Sequence, residues 1–143
     1  MSRFVRAATA GDAIDVAALL IELGYPTSSE HTVELIDQLA EDPTSNVHVA
    51  ESEGRVVGLI ATHLVPRLDK DRLSCRVIDI VVAPHHRRSG IGTALMATVE
   101  DHARRSGALR IDLSCGDWRP EAHAFYARLG FDSRARSFTK RLS

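Results

Sequence analysis

The sequence predicts a single α/β domain, of the α+β kind, with a mixed central sheet of about six to seven strands covered by helices. Three observations predict it. Apolar patterning switches between the strand and helix periods along the chain, in the order β-α-α-β-β-β-α-β-α-β. Three consecutive strand patterns followed by a strand–helix–strand unit require antiparallel and parallel pairing in one sheet. The length of 143 residues, 44% hydrophobic and 26% charged, suits one ordinary globular domain over 1–143, and no internal repeat or low-complexity linker interrupts it.

Arg3 to Ala7 reads as a short first strand. Thr9-Ala10-Gly11-Asp12 resembles a capping box, hydroxyl first and carboxylate three residues on. Ala13, Val16, Ala17, Leu20 and Ile21 then share one helical face, and Gly24 with Pro26 ends that helix. Ser28 or Ser29 caps a second helix with the face Val33, Ile36, Leu39 and Ala40, stopped by Pro43. Asn46 to Glu51 and Arg55 to Leu64 are strand patterns joined by Ser52-Glu53-Gly54 as a hairpin. Pro66 to Arg72 is a charged turn, and Leu73 to Val82 the next strand. A helix from Ile91 to about Arg105 places Ile91, Leu95, Val99 and Ala103 on one face and ends at Gly107. Leu109 to Ser114 is a further strand. Pro120 opens a last helix whose stripe is Ala122, Phe125, Tyr126 and Leu129, with Gly130 just past its end. Phe131 to Leu142 would form one or two closing strands.

Composition narrows the function classes. A formal net charge of −1 argues against a bulk nucleic-acid or membrane-surface binder, so any basic site must be local. Cys75 and Cys115 make no metal motif and no disulfide scaffold; they read as small thiols in a reducing compartment. There is no long apolar run and no signal-type segment, so a cytoplasmic location is expected.

The local basic site is residues 83–93, within the stretch Arg76 to Val99. An apolar strand ends at Pro84, His85-His86-Arg87-Arg88 follow, and Ser89-Gly90-Ile91-Gly92 opens the helix. Unsatisfied backbone N–H groups and the macrodipole favour an anion at such a helix start. Glycines let the backbone approach the ligand, and arginines offer forked donors to phosphate oxygens. A Walker loop fails here, because Gly92 is followed by Thr93 with no lysine between. A dinucleotide fingerprint fits poorly, since several polar residues separate Val82 from Gly90 and Leu95 stands where a small residue is wanted.

Ile80-Val81-Val82-Ala83-Pro84-His85-His86-Arg87-Arg88-Ser89-Gly90-Ile91-Gly92-Thr93-Ala94-Leu95 resembles the acyl-CoA-binding segment of the Gcn5-related N-acetyltransferase (GNAT) family, with the pattern Arg/Gln-x-x-Gly-x-Gly/Ala at Arg87 to Gly92. The family's second signature, Ala-x-x-Phe-Tyr-x-x-Leu-Gly-Phe, is matched by Ala122 to Phe131, and Gly54-Arg55-Val56-Val57-Gly58 is similar to its strand pair. The resemblance implies a splayed sheet with helices on both faces. It also implies acetyl transfer from acetyl-CoA to a primary amine by direct attack in a ternary complex, without a metal.

By that resemblance Arg87, Arg88, Ser89, Gly90, Ile91, Gly92 and Thr93 cradle the pyrophosphate. Ile80, Val81 and Val82 pair with the pantetheine arm, and an amide near Val82 polarises the thioester carbonyl. Tyr126 takes the general-acid position, since a phenol stays protonated at neutral pH. The family's frequent strand glutamate is replaced by Ser114, which leaves Asp79 as the favoured base, with Asp112 and Asp117 as alternatives. Arg119, taken as cofactor-binding, stands where an asparagine that contacts the pantetheine is common, and is expected instead to reach a phosphate or simply sit at the helix cap. A small-molecule amine is the favoured acceptor, with a protein N-terminus or lysine as the alternative. A non-catalytic acyl-CoA sensor is the rival class. A homodimer is compatible with the sequence, although no exposed stripe marks an interface.

Overall fold

The computed structural model describes residues 3–69, 71–114, 120–133 and 137–142. The chain falls into two compact units, Met1–Asp112 and Leu113–Ser143. In the first, strands β1 (Arg3–Ala7), β2 (Ser45–Ser52), β3 (Arg55–Pro66), β4 (Leu73–Val82) and β5 (Arg110–Asp112) form one sheet in sequence order. Its first four strands are antiparallel neighbours, and β5 runs parallel to β4. Three helices complete this unit: α1 (Ala13–Leu23), α2 (Ser29–Glu41) and α3 (Ile91–Arg105). The second unit contains α4 (Pro120–Arg128).

Local chemistry accounts for the joints. The carboxylate of Asp12 accepts from the Thr9 N–H at 2.8 Å and from two nitrogens of Arg6, whose third contact is Glu51 at 2.7 Å. Ser28 is the cap of α2, its hydroxyl accepting from the His31 N–H at 3.1 Å. The β2–β3 turn places Glu53 at φ 52° and Gly54 at φ 79°, the left-handed pair that a two-residue hairpin needs to match strand twist. Helix α1 ends on Gly24 at φ 106°.

The sheet is covered on both faces. Ala13, Val16 and Leu19 of α1 and Ile36 of α2 pack on Val49, Leu59 and Val81. Helix α3 lies on the opposite face and buries Ile91, Leu95, Met96, Val99 and Ala103. It approaches β3 so closely that a Cβ on Gly58 would stand 2.9 Å from Ile91 Cγ2 and 3.1 Å from Leu95 Cδ1.

Three expectations need correction. The described residues give five strands, where about six to seven were expected. The closing strands over 131–142 do not form in their described part; Phe138 and Leu142 are exposed there, so that segment has no buried face to align a strand. Ile21 was expected on the buried face of α1 but is exposed, and Leu19 is buried instead.

Candidate functional site

The basic loop joins β4 to α3. Pro84–His86 form a 3-10 turn, and the Nε of Arg87 folds back to donate to the Val82 carbonyl at 3.2 Å. Arg88 has φ 62° and Gly90, the N-cap of α3, φ 88°. Two left-handed residues so close together turn the chain sharply into the start of α3. The Ser89 hydroxyl donates to the His86 carbonyl, which pins the loop across its base. No side chain caps α3, and its first turn holds no acidic residue. The N–H groups of Ile91, Gly92 and Thr93 therefore meet the start of a four-turn helix and the Arg87–Arg88 pair with no competing carboxylate in that turn. Such a cradle suits a dianionic phosphate group.

Leading into the loop, β4 has two different edges. Towards β3 it is paired from Leu73 to Val82. Towards β5 it pairs only at Ser74, Cys75 and Arg76, so among the described residues the stretch Val77 to Val82 has no strand on that side. An extended ligand segment can add to such an edge as a strand would. Val81 is buried beneath α1, while Ile80 and Val82 are partly exposed.

A bulge interrupts β4. Ala61 stands opposite Asp79 and Thr62 opposite Val77, so Ile78 is an extra residue without a partner. Asp79 shares the face of Val81, as its parity predicts. Among the described residues it makes no hydrogen bond or ion pair, and burial pushes its carboxyl above the ordinary value. That is the direction a proton acceptor for an amine needs. The alternative Asp112 is already engaged by Arg110 at 3.2 Å and Arg67 at 3.8 Å.

In the second unit, Tyr126 sits on α4 with edge-to-face contacts to Phe125 and Phe131, ring centroids 5.4 and 5.8 Å away. Gly130 closes the helix at φ 92°, and the Phe131 N–H donates to the Tyr126 carbonyl at 3.0 Å, which fixes the phenol's helix end. Asp117, Trp118 and Arg119 lie outside the described residues, and so does Cys115. Cys75 is fully buried, and burial raises its thiol above the ordinary value, so it is packing rather than chemistry. Among the described residues no group of His, Cys, Asp or Glu could hold a metal ion, and no helix is long and apolar enough to cross a membrane.

Sequence reasoning missed the Ile78 bulge and the left-handed Arg88. Neither leaves a local signature, since each is set by the partner strand or the loop's closure. Gly58 was legible only as part of a motif, not as the point of contact with α3.

Comparison with known proteins agrees with this geometry. A model of the "Acetyltransferase (GNAT) family" matches residues 14–131. The chain is 36% identical over 101 residues to an aminoalkylphosphonate N-acetyltransferase of Salmonella typhimurium, covering 71% of this chain and 66% of that one. It is 38% identical over 92 residues to human N-acetyltransferase 8, covering 63% of this chain and 40% of that protein. The matched stretch thus spans less than two thirds of either relative. A crystal structure of a transcriptional regulator from Bacillus halodurans superposes with a TM-score of 0.91 at 21% identity, over 99% of this chain and all of that one. A glucosamine-6-phosphate N-acetyltransferase from Arabidopsis thaliana gives 0.87 at 17% identity, with both chains covered completely. At those identities the likeness is one of fold.

Proposed function

This chain belongs to the GNAT acetyltransferase family, and we propose that it transfers an acetyl group from acetyl-CoA to the primary amine of a small molecule by direct attack in a ternary complex. One observation carries the reading. A helix start with no side-chain cap and no acid in its first turn follows a strand whose outer edge, from Val77 to Val82, has no neighbour strand among the described residues, so a phosphate cradle and a strand-like docking edge are continuous. The region 1–143 is read as one N-acetyltransferase domain, supported by a family match that runs across both compact units. The name of the Salmonella relative supports a small amine as acceptor, ahead of a protein N-terminus or lysine.

Bound acetyl-CoA would supply the activated acyl group. Arg87, Arg88 and the amides of Ser89, Gly90, Ile91, Gly92 and Thr93 hold its pyrophosphate, and the free edge of Ile80, Val81 and Val82 orients the pantetheine arm. Asp79 takes a proton from the incoming ammonium, directly or through water, which its half-buried carboxylate, without a partner among the described residues, favours. Tyr126 donates to the departing sulfur, a role that rests on the second signature, and Arg119 contributes at a phosphate. A cytoplasmic protein and a homodimer are compatible with this reading.

The test is thiol release from acetyl-CoA across a panel of amines, with CoA binding measured alongside. Tyr126→Phe should keep CoA binding and lose thiol release by about 10²-fold or more. CoA binding without release for any amine would instead favour a sensor module.

A further inference from the structure

Helix α1 is apolar on two opposite faces. Its inner face buries Ala13, Val16, Ala17 and Leu19. Ile14, Ala18 and Ile21 are exposed on the outer face, Ile14 by 75% and Ile21 by 56%. Spacings of four and three residues align these three side chains in one stripe along the helix. Single exposed apolar residues are ordinary, but an aligned set at this spacing is the seam by which helices pair. The sequence hides the stripe, because residues 16–21 are apolar throughout and the two faces read alike.

The stripe carries both a knob and a hole. Where the chain turns at the end of α1, Ile21, Gly24, Pro26 and Thr27 line a hollow of about 300 Å³. Ile14 projects from the helix seven residues before Ile21, roughly 10 Å along the axis. A two-fold axis through Ala18 sets the Ile14 of each copy against Ile21 and the hollow of the other. The small Ala18 at the crossing point lets the helices approach closely.

The charges select a direction for this pairing. Asp15 and Glu22 lie on the same flank of the stripe, since seven residues make nearly two whole turns. Asp15 accepts from the Arg55 guanidinium at 3.1 Å and from the Val56 N–H at 3.2 Å, and the Arg55 side chain stays mostly exposed. Glu22 is exposed, and the last turn of α1 holds no basic residue. Antiparallel helices bring each Glu22 level with the Asp15–Arg55 pair of the other copy, which offers it a cation. Parallel helices would set Glu22 against Glu22 and align the two helix dipoles.

We propose that the outer face of α1 is a self-association surface, occupied by α1 of a second copy of this chain in an antiparallel two-fold pair. A single helix crossing is at the small end of specific interfaces, so the dimer is reversible and concentration-dependent.

Sedimentation velocity of the full chain from about 1 to 300 µM should show monomer giving way to dimer. Ile14→Glu should weaken the dimer by at least about tenfold and leave the far-UV circular dichroism unchanged, because that side chain faces solvent in the monomer. Oxidative cross-linking in a Cys115→Ser background reads the register. Ala18→Cys should join two copies at the axis, whereas Ile14→Cys should not, its two copies lying roughly 12 Å apart along the helices. A chain that stays monomeric over the whole range, or a dimer indifferent to Ile14→Glu, would overturn the inference. So would the absence of a cross-link in Ala18→Cys, or one in Ile14→Cys that forms as readily.

Discussion

Gly58→Ala tests how the sheet positions the cofactor loop. Gly58 lies on β3 opposite both Ala50 and Val82, and α3 packs directly upon it. The added methyl would stand 2.9 Å from Ile91 Cγ2, 3.1 Å from Leu95 Cδ1 and 3.4 Å from the Ala50 Cβ. The leucine terminus can rotate away, but Ile91 is β-branched in a helix and has one strongly preferred rotamer, so the first turn of α3 must move. Overpacking of this kind costs about 1–3 kcal/mol, and replacing a strand glycine returns about 0.5–1 kcal/mol of that. The net loss of about 1–2 kcal/mol corresponds to a fall in Tm of about 2–8 °C for a chain of 143 residues. Because Ile91 begins the helix whose amides form the cradle, CoA affinity should fall together with Tm. Thermal unfolding followed by circular dichroism, with CoA calorimetry on the same variant, reads both. An unchanged or raised Tm would refute the close contact, and unchanged CoA affinity would refute its coupling to the loop.

Other predictions concern charge and pH. Burial, followed by the nearby His102, lowers His48 below its ordinary value, and its Nδ1 is buried without a partner among the described residues. Its neutral form is therefore favoured by folding, so stability present above about pH 6.5 is lost as pH falls from there towards the lower folded value. His48→Gln should flatten that limb of a Tm-against-pH curve, and an unaltered limb would contradict the assignment. The hydrogen bond from Arg6, then that from the Thr9 backbone, holds Asp12 below the ordinary carboxylate range against the opposing effect of burial. Its contribution is full above the ordinary value and disappears as pH falls through the folded one. Asp12→Asn should cost about 1–3 kcal/mol in urea unfolding at neutral pH, and a midpoint equal to wild type would argue that the Arg6 pair is energetically idle.

Much of the first unit was legible because its signals are local. Ser28 announces the cap of α2, Glu53-Gly54 the left-handed hairpin turn, and Gly90 the entry to α3. The phase of α1 was less legible because Val16 to Ile21 is apolar throughout, leaving no polar residue to mark the outer face. The end of the chain misled differently: closing strands were expected over Phe131 to Leu142, yet Phe138 and Leu142 bury nothing. At the site, the loop and Asp79 were readable from glycines, arginines and pleat parity. The bulge at Ile78 was not, because its register is set by a strand more than a dozen residues earlier.

The most direct measurement of the central claim is calorimetric titration of CoA into wild-type protein and into Arg87→Glu and Arg88→Glu. Saturable single-site binding by the wild type, weakened at least about tenfold in each variant while the far-UV circular dichroism is retained, is the predicted result. No binding by the wild type, or equal affinity in all three proteins, would contradict it.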